Sequence, residues 1–258
     1  MIFDRKVLAL VVFTFLISAS QAVHAQKFGS GYYGMTTLTG GSGDLSAYNY
    51  LPVEFEKVNL QGFDVYVNKS IAERPETQAA LDALDEDLEY VAGKINAKHL
   101  TLFKQIKIWI EIKNQPRGSA MYLKNATKEW LTSNGYPLEA MKSVEITNVK
   151  NYVAWRNLNQ PLLILHEMAH AYHDLHLSRE LKADITAAYN NALNGKKYES
   201  VEHSEGGKKR AYALTSADEY FAELTEAYFG ENDFFPFNRE ELEEFDPEGY
   251  ELMQAAWD

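Results

Sequence analysis

The spacing of apolar residues divides most of the chain into short strands and amphipathic helices. Ile106, Ile108, Ile110 and Ile112 alternate with Lys107, Trp109, Glu111 and Lys113, so Gln105 to Lys113 is predicted as a central, half-buried strand. Val53 to Asn59 and Phe63 to Val67 alternate in the same way around Gln61-Gly62, a hairpin signature that opens the globular part. Ser119 to Leu123 and Ser143 to Thr147 are shorter strand candidates. Either could be the open sheet edge beside which an extended peptide lies. Tyr198 to His203 and Lys208 to Leu214 flank Ser204-Glu205-Gly206-Gly207 as a further hairpin.

Helical spacing appears between these runs. Arg74-Pro75 opens a helix to about Ala97, with Ala80, Leu81, Leu84, Leu88, Val91 and Ile95 as its apolar stripe and Asp82, Asp85, Glu86, Asp87 and Glu89 on the solvated face. Shorter or later helices are expected at Thr127 to Ser133, Pro161 to Leu177, Ser178 to Asn194 before Gly195, and Ser216 to Gly230. The aromatic and acidic end of the chain, with Phe234, Phe235, Phe237, Phe245, Tyr250 and Trp257, is expected to pack C-terminal helices over the core. The pattern predicts an α+β domain with a small mixed β-sheet and a C-terminal helical part.

Composition narrows the function classes. With 46% hydrophobic residues over 258 positions a packed core is affordable, and residues 51–258 form one domain in this reading. A formal net charge of −12 argues against nucleic acid as a partner, since that binding relies on clustered Lys and Arg. The chain has no cysteine, so any zinc must be held by His and carboxylate. Arg5 and Lys6 precede an apolar run from Val7 to Ile17, and Val23-His24-Ala25 offers a small-residue cleavage site. Residues 1–25 are therefore expected to be a signal peptide, and residues 26–50, rich in Gly and Tyr, a linker. The mature protein is expected to be exported, periplasmic or secreted, with no stable membrane span once the signal is cleaved.

The candidate chemistry sits on PLLILHEMAHAYHDLHL, Pro161 to Leu177. On a helix, His166 and His170 project from one face at i and i+4, a chelating arrangement. Glu167 lies at the edge of that face, where it reaches a water on the metal without binding the metal. The surrounding Leu162, Leu163, Ile164, Leu165, Met168 and Ala169 imply a buried helix whose histidines need partners.

A catalytic zinc site takes three protein ligands and keeps a fourth position for water, so one more donor is required. His176 is one candidate, but on a continuous helix it lies about 15 Å along the axis from His166, and His173 at about 10 Å reads as an outer or surface residue. Glu219 and Glu223, four apart in SADEYFAELTEAYFG, are the others. Such a pair suits a division of labour, one carboxylate on the metal and the other on the free N–H of a ligand imidazole. Ser216 and Glu219 also fit a capping box, which would account for Glu219 alone.

HEMAH at His166 to His170, Tyr212, and Glu219 in YALTSADEYFAE resemble the gluzincin group of zinc metallopeptidases, and within it the catalytic domain of the anthrax lethal factor type. The resemblance covers roughly Pro161 to Gly230. It implies a zincin-like fold, Glu219 as third ligand and Tyr212, seven residues before it, facing the metal. The implied activity is zinc-dependent hydrolysis of peptide bonds outside the cytoplasm, with one Zn2+ per chain and a peptide or protein as substrate. The other class is an exported zinc-containing binding protein without peptidase activity. The complete motif favours catalysis, because a structural site has no need of Glu167.

Overall fold

The computed structural model describes residues 53–111 and 118–258. The expected signal peptide and linker lie outside these residues. A hairpin opens the fold: strand β1 (Phe55–Leu60) pairs antiparallel with β2 (Phe63–Asn68). Its two-residue turn needs positive φ at both central positions, which Gln61 (52°) and Gly62 (88°) supply. Helix α1 (Pro75–Lys94) and the short α2 (Ala97–Phe103) then carry the chain across to β3 (Ile108–Ile110). After β4 (Ala120–Tyr122) and α3 (Lys128–Ser133), β5 (Val144–Ile146) completes a sheet of order β1-β2-β3-β5-β4. β2, β3 and β5 run parallel, whereas β4 lies antiparallel on the outside of β5. Of the two edge candidates, the 119–123 segment is thus the edge and the 143–147 segment is interior.

Two-residue periodicity assigns the sheet's faces. Val65, Val67, Ile108, Ile110, Tyr122, Val144 and Ile146 meet the helices in the main core. On the opposite face Trp109 stacks on Tyr66 at 4.3 Å and packs with Leu123, Leu131, Tyr136 and Ala140 in a second cluster. β3 is therefore buried on both faces rather than half buried. Its Trp109, read as polar-side, is the centre of that second cluster.

Helix α4 (Val149–Leu158), which the apolar pattern does not reveal, packs on α1 and changes the reading of that helix's acidic face. Asp87 is buried there, where it accepts Arg156 Nε–H at 2.6 Å and the Tyr152 hydroxyl. Asp82, Glu86 and Glu89 remain exposed.

Helix α5 (Leu163–His176) runs beneath the sheet and touches β4 and β5. Helix α6 (Arg179–Asn194) follows, capped by Ser178 Oγ on the Leu181 N–H. A small hairpin, β6 (Val201–Glu202) with β7 (Lys208–Lys209), leads to helix α7 (Ala217–Phe229). α7 is buried from Glu219 to Tyr228, lying against α5, α6, α8 (Arg239–Phe245) and α9 (Pro247–Trp257). Trp257 closes this layer, stacked on Tyr172 at 4.5 Å and on Phe221 at 5.7 Å. Fully burying an aromatic or aliphatic side chain of this size contributes about 1.5–3 kcal/mol, so the C-terminal helix fastens α5 and α7 together. Among the described residues no helix is long and apolar enough to cross a membrane.

Candidate metal centre

Two helices supply the site. Apolar residues on all sides of α5 force it into the interior, and its histidines go in with it: His166 and His170 are 2% and 4% exposed. The helix starts at Leu163, two residues beyond Pro161, with no side-chain cap, so tertiary packing holds its first turn. α7 begins with a side-chain cap, Ser216 Oγ accepting the Glu219 N–H at 3.2 Å. The other half of the capping box is missing, because the Glu219 carboxylate points at the histidines.

His166 Nε2, His170 Nε2 and Glu219 Oε2 converge, with separations of 3.1 Å between the two nitrogens, 3.0 Å from His166 to Glu219 and 3.1 Å from His170 to Glu219. All three are electron-pair donors in the forms that bind metals. A proton can join two of them but not three, whereas a metal cation joins all three. Donors around a tetrahedral zinc with bonds of 2.0–2.1 Å stand about 3.3 Å apart, so the spacing fits. Hence His166, His170 and Glu219 form a buried group that could hold a metal ion. His176 takes no part in this group, and Glu219 rather than Glu223 meets the Nε2 atoms.

Glu219 is 1% exposed. Burial alone would raise its pKa, but the charge of His170 and the hydrogen bonds from both imidazoles outweigh that and hold it below the usual carboxylate range.

Glu167 stands beside this group on the side facing the sheet edge. Its Oε2 accepts the main-chain N–H of Tyr122 in β4 at 2.8 Å. Burial pushes its carboxyl up from the ordinary glutamate range, opposed by the two imidazoles and by the Tyr122 N–H. Tyr212, in a turn of 3-10 helix over Tyr212–Leu214, directs its hydroxyl to Glu219 Oε1 at 3.4 Å, and its ring centre lies 6.4 Å from that of His166.

Glu223 is fully buried one turn along α7, with Oε1 3.6 Å from His166 Nδ1. A nearer carboxylate occupies that nitrogen: Glu226 Oε1 lies 2.6 Å from it. Sequence reasoning stopped at the i+4 partner and missed Glu226. The signal that could have found it is a third glutamate in an apolar helix, two turns from Glu219. Tyr122 was also missed, and as a main-chain donor it leaves no mark in the sequence.

His173, expected at an outer position, is buried and sits 3.3 Å from Asp218 Oδ1 through Nδ1. Its burial lowers its pKa to about 4, against the pull of Asp218. Comparison with protein-family profiles, curated proteins and solved structures finds no match.

Proposed function

We propose that the chain is an exported zinc metallopeptidase with a zincin-like fold. The observation that carries the reading is the convergence of two imidazole nitrogens and one carboxylate oxygen at 3.0–3.1 Å, with a second carboxylate, Glu167, next to them and outside the group. A closed structural zinc site takes four protein ligands, whereas this group supplies three and leaves Glu167 outside it.

In this reading His166, His170 and Glu219 hold the ion. Zinc held there would supply an activated water near neutral pH and would polarise the scissile carbonyl. Glu167 is the general base: Oε2 is engaged by Tyr122 N–H at 2.8 Å, which leaves Oε1 to take the proton. The carboxyl then returns that proton to the leaving amine, and its burial, by raising its pKa, suits both directions of transfer. Tyr212 donates its hydroxyl to the oxyanion that develops on the carbonyl, a contribution whose loss costs about 2.7–4 kcal/mol in comparable sites.

A peptide is the substrate best matched to the surroundings of Glu167. Leu123 N–H bonds back to Ser143, just before β5, so by the alternation of a strand Ala120 and Tyr122 turn their main-chain groups outward, the Tyr122 N–H to Glu167 and the Ala120 N–H to the outer edge. An extended main chain laid along β4 would gain ladder hydrogen bonds there, with its carbonyls beside the base. The acidic balance of the chain, at −12, is no obstacle to a peptide and is unfavourable to a polyanion.

The test is zinc analysis of the purified chain together with digestion of casein and of a peptide library, with and without chelator. Bound zinc with chelator-sensitive cleavage is expected. Zinc bound without cleavage of any peptide would instead favour an exported zinc-containing binding protein.

A further inference from the structure

We infer that Glu226 is the residue that positions His166 for metal binding. This rests on the zinc reading above and adds a residue that the HEMAH and Glu219 pattern does not include.

The argument is geometric. Glu219 and Glu226 lie seven residues apart on α7, close to two full turns, so they fall within about 20° of one line along the helix, whereas Glu223 is about 40° off it. α7 packs along α5, and one imidazole lies between the two aligned carboxylates. Glu219 Oε2 faces His166 Nε2 at 3.0 Å and Glu226 Oε1 faces Nδ1 at 2.6 Å. Glu223 reaches no closer to Nδ1 than 3.6 Å, too long for a hydrogen bond.

With an ion bound, a hydrogen bond from Nδ1–H to Glu226 would fix the tautomer, so that Nε2 offers its lone pair on the side of Glu219 and His170. It also locks the ring's rotation and makes the imidazole more electron-rich. Glu226 is fully buried, as are Glu219 and Glu223 to within 1%, which places three carboxylates on one face of a single helix.

The experiment measures zinc affinity of the full chain by competition with a chromophoric chelator, beside the melting temperature of the metal-free protein. Glu226→Gln and Glu223→Gln are compared with wild type. Loss of a carboxylate that orients a metal-binding histidine typically weakens affinity by about 10–100-fold. Glu226→Gln is expected to lose at least about 10-fold and Glu223→Gln clearly less. The metal-free melting temperature of Glu226→Gln should stay near that of wild type, because the amide oxygen can still accept from Nδ1–H, whereas a residue serving only to hold the fold would lower it. Should Glu226→Gln fail to fold, Glu226→Asp keeps the charge but withdraws it from Nδ1, and the same loss is expected.

Zinc bound by wild type, with Glu226→Gln unimpaired or Glu223→Gln the weaker, overturns the role of Glu226 while leaving the metal centre standing. A wild-type chain that takes up no zinc overturns both. If the affinity order holds but no peptide is cleaved, the positioning role stands and the peptidase reading falls.

Discussion

The main-chain N–H of Tyr122 donates to Oε2 of Glu167 across 2.8 Å, joining the sheet edge to the proposed base. The Tyr122 side chain runs the other way, its hydroxyl donating to Asp174 Oδ2 at 2.8 Å, and Lys142 Nζ donates to the same oxygen at 2.7 Å. One residue thus orients the carboxylate through its backbone and anchors β4 to α5 through its ring.

That separation of roles predicts a separation of effects. Tyr122→Phe removes the bond to Asp174 and keeps the N–H, so it should cost about 1 kcal/mol of stability while kcat stays near wild type. Chemical denaturation and steady-state kinetics on the same preparation check this. A large fall in kcat at unchanged stability would mean that the hydroxyl acts in the chemistry.

Glu167→Gln keeps the size of the side chain and an oxygen able to accept the Tyr122 N–H, but it cannot take up a proton. Zinc content should equal that of wild type and peptide cleavage should fall by at least about 10²-fold. Cleavage at the wild-type rate would remove Glu167 from the role of base.

Tyr212→Phe should lower kcat and leave KM nearly unchanged, because the hydroxyl's proposed partner exists only as charge develops on the carbonyl. A KM effect alone would mean that the tyrosine binds substrate in its ground state.

His173, one turn beyond His170, supplies a further pH dependence. Its folded-state pKa is pushed down to about 4 by burial, against about 6.5 in an unfolded chain. Between those values the unfolded chain binds more protons, so stability should rise as pH climbs from about 4 to about 6.5, by at most about 1.4 kcal/mol per unit. Below that window the contribution is gone. His173→Gln should flatten this limb in denaturation series across the range, and an unaltered slope would assign the dependence to other groups.

Much of this was legible because local pattern and tertiary environment agree. The isoleucine alternation over Gln105 to Lys113 found β3, which spans only Ile108–Ile110 with residues 112–113 outside the described residues; Gln61-Gly62 found the hairpin turn, and HEMAH found the helix that brings His166 and His170 together. Helix α4 was not legible. Its first turn is capped by Asn148, but its buried residues, Val149 and Tyr152, are too few for a visible stripe. Asp87 was misread for the same reason, since its partners Tyr152 and Arg156 stand on that helix. At the centre itself, the residue types named the metal-binding candidates. Choosing Glu219 over Glu223 and His176, and finding Glu226 and the Tyr122 N–H, needed the packing of α7 and β4 on α5. Spacing along one helix says which residues share a face; it does not say which of them a second helix will meet.

The central claim is the location of the metal, and anomalous diffraction from zinc-loaded crystals at the zinc absorption edge tests it most directly. The account predicts one peak per chain, at about 2.0–2.2 Å from His166 Nε2, His170 Nε2 and a carboxylate oxygen of Glu219. A peak among His166 Nδ1, Glu223 and Glu226, the other buried group able to take an ion, or no peak near either group, would contradict it.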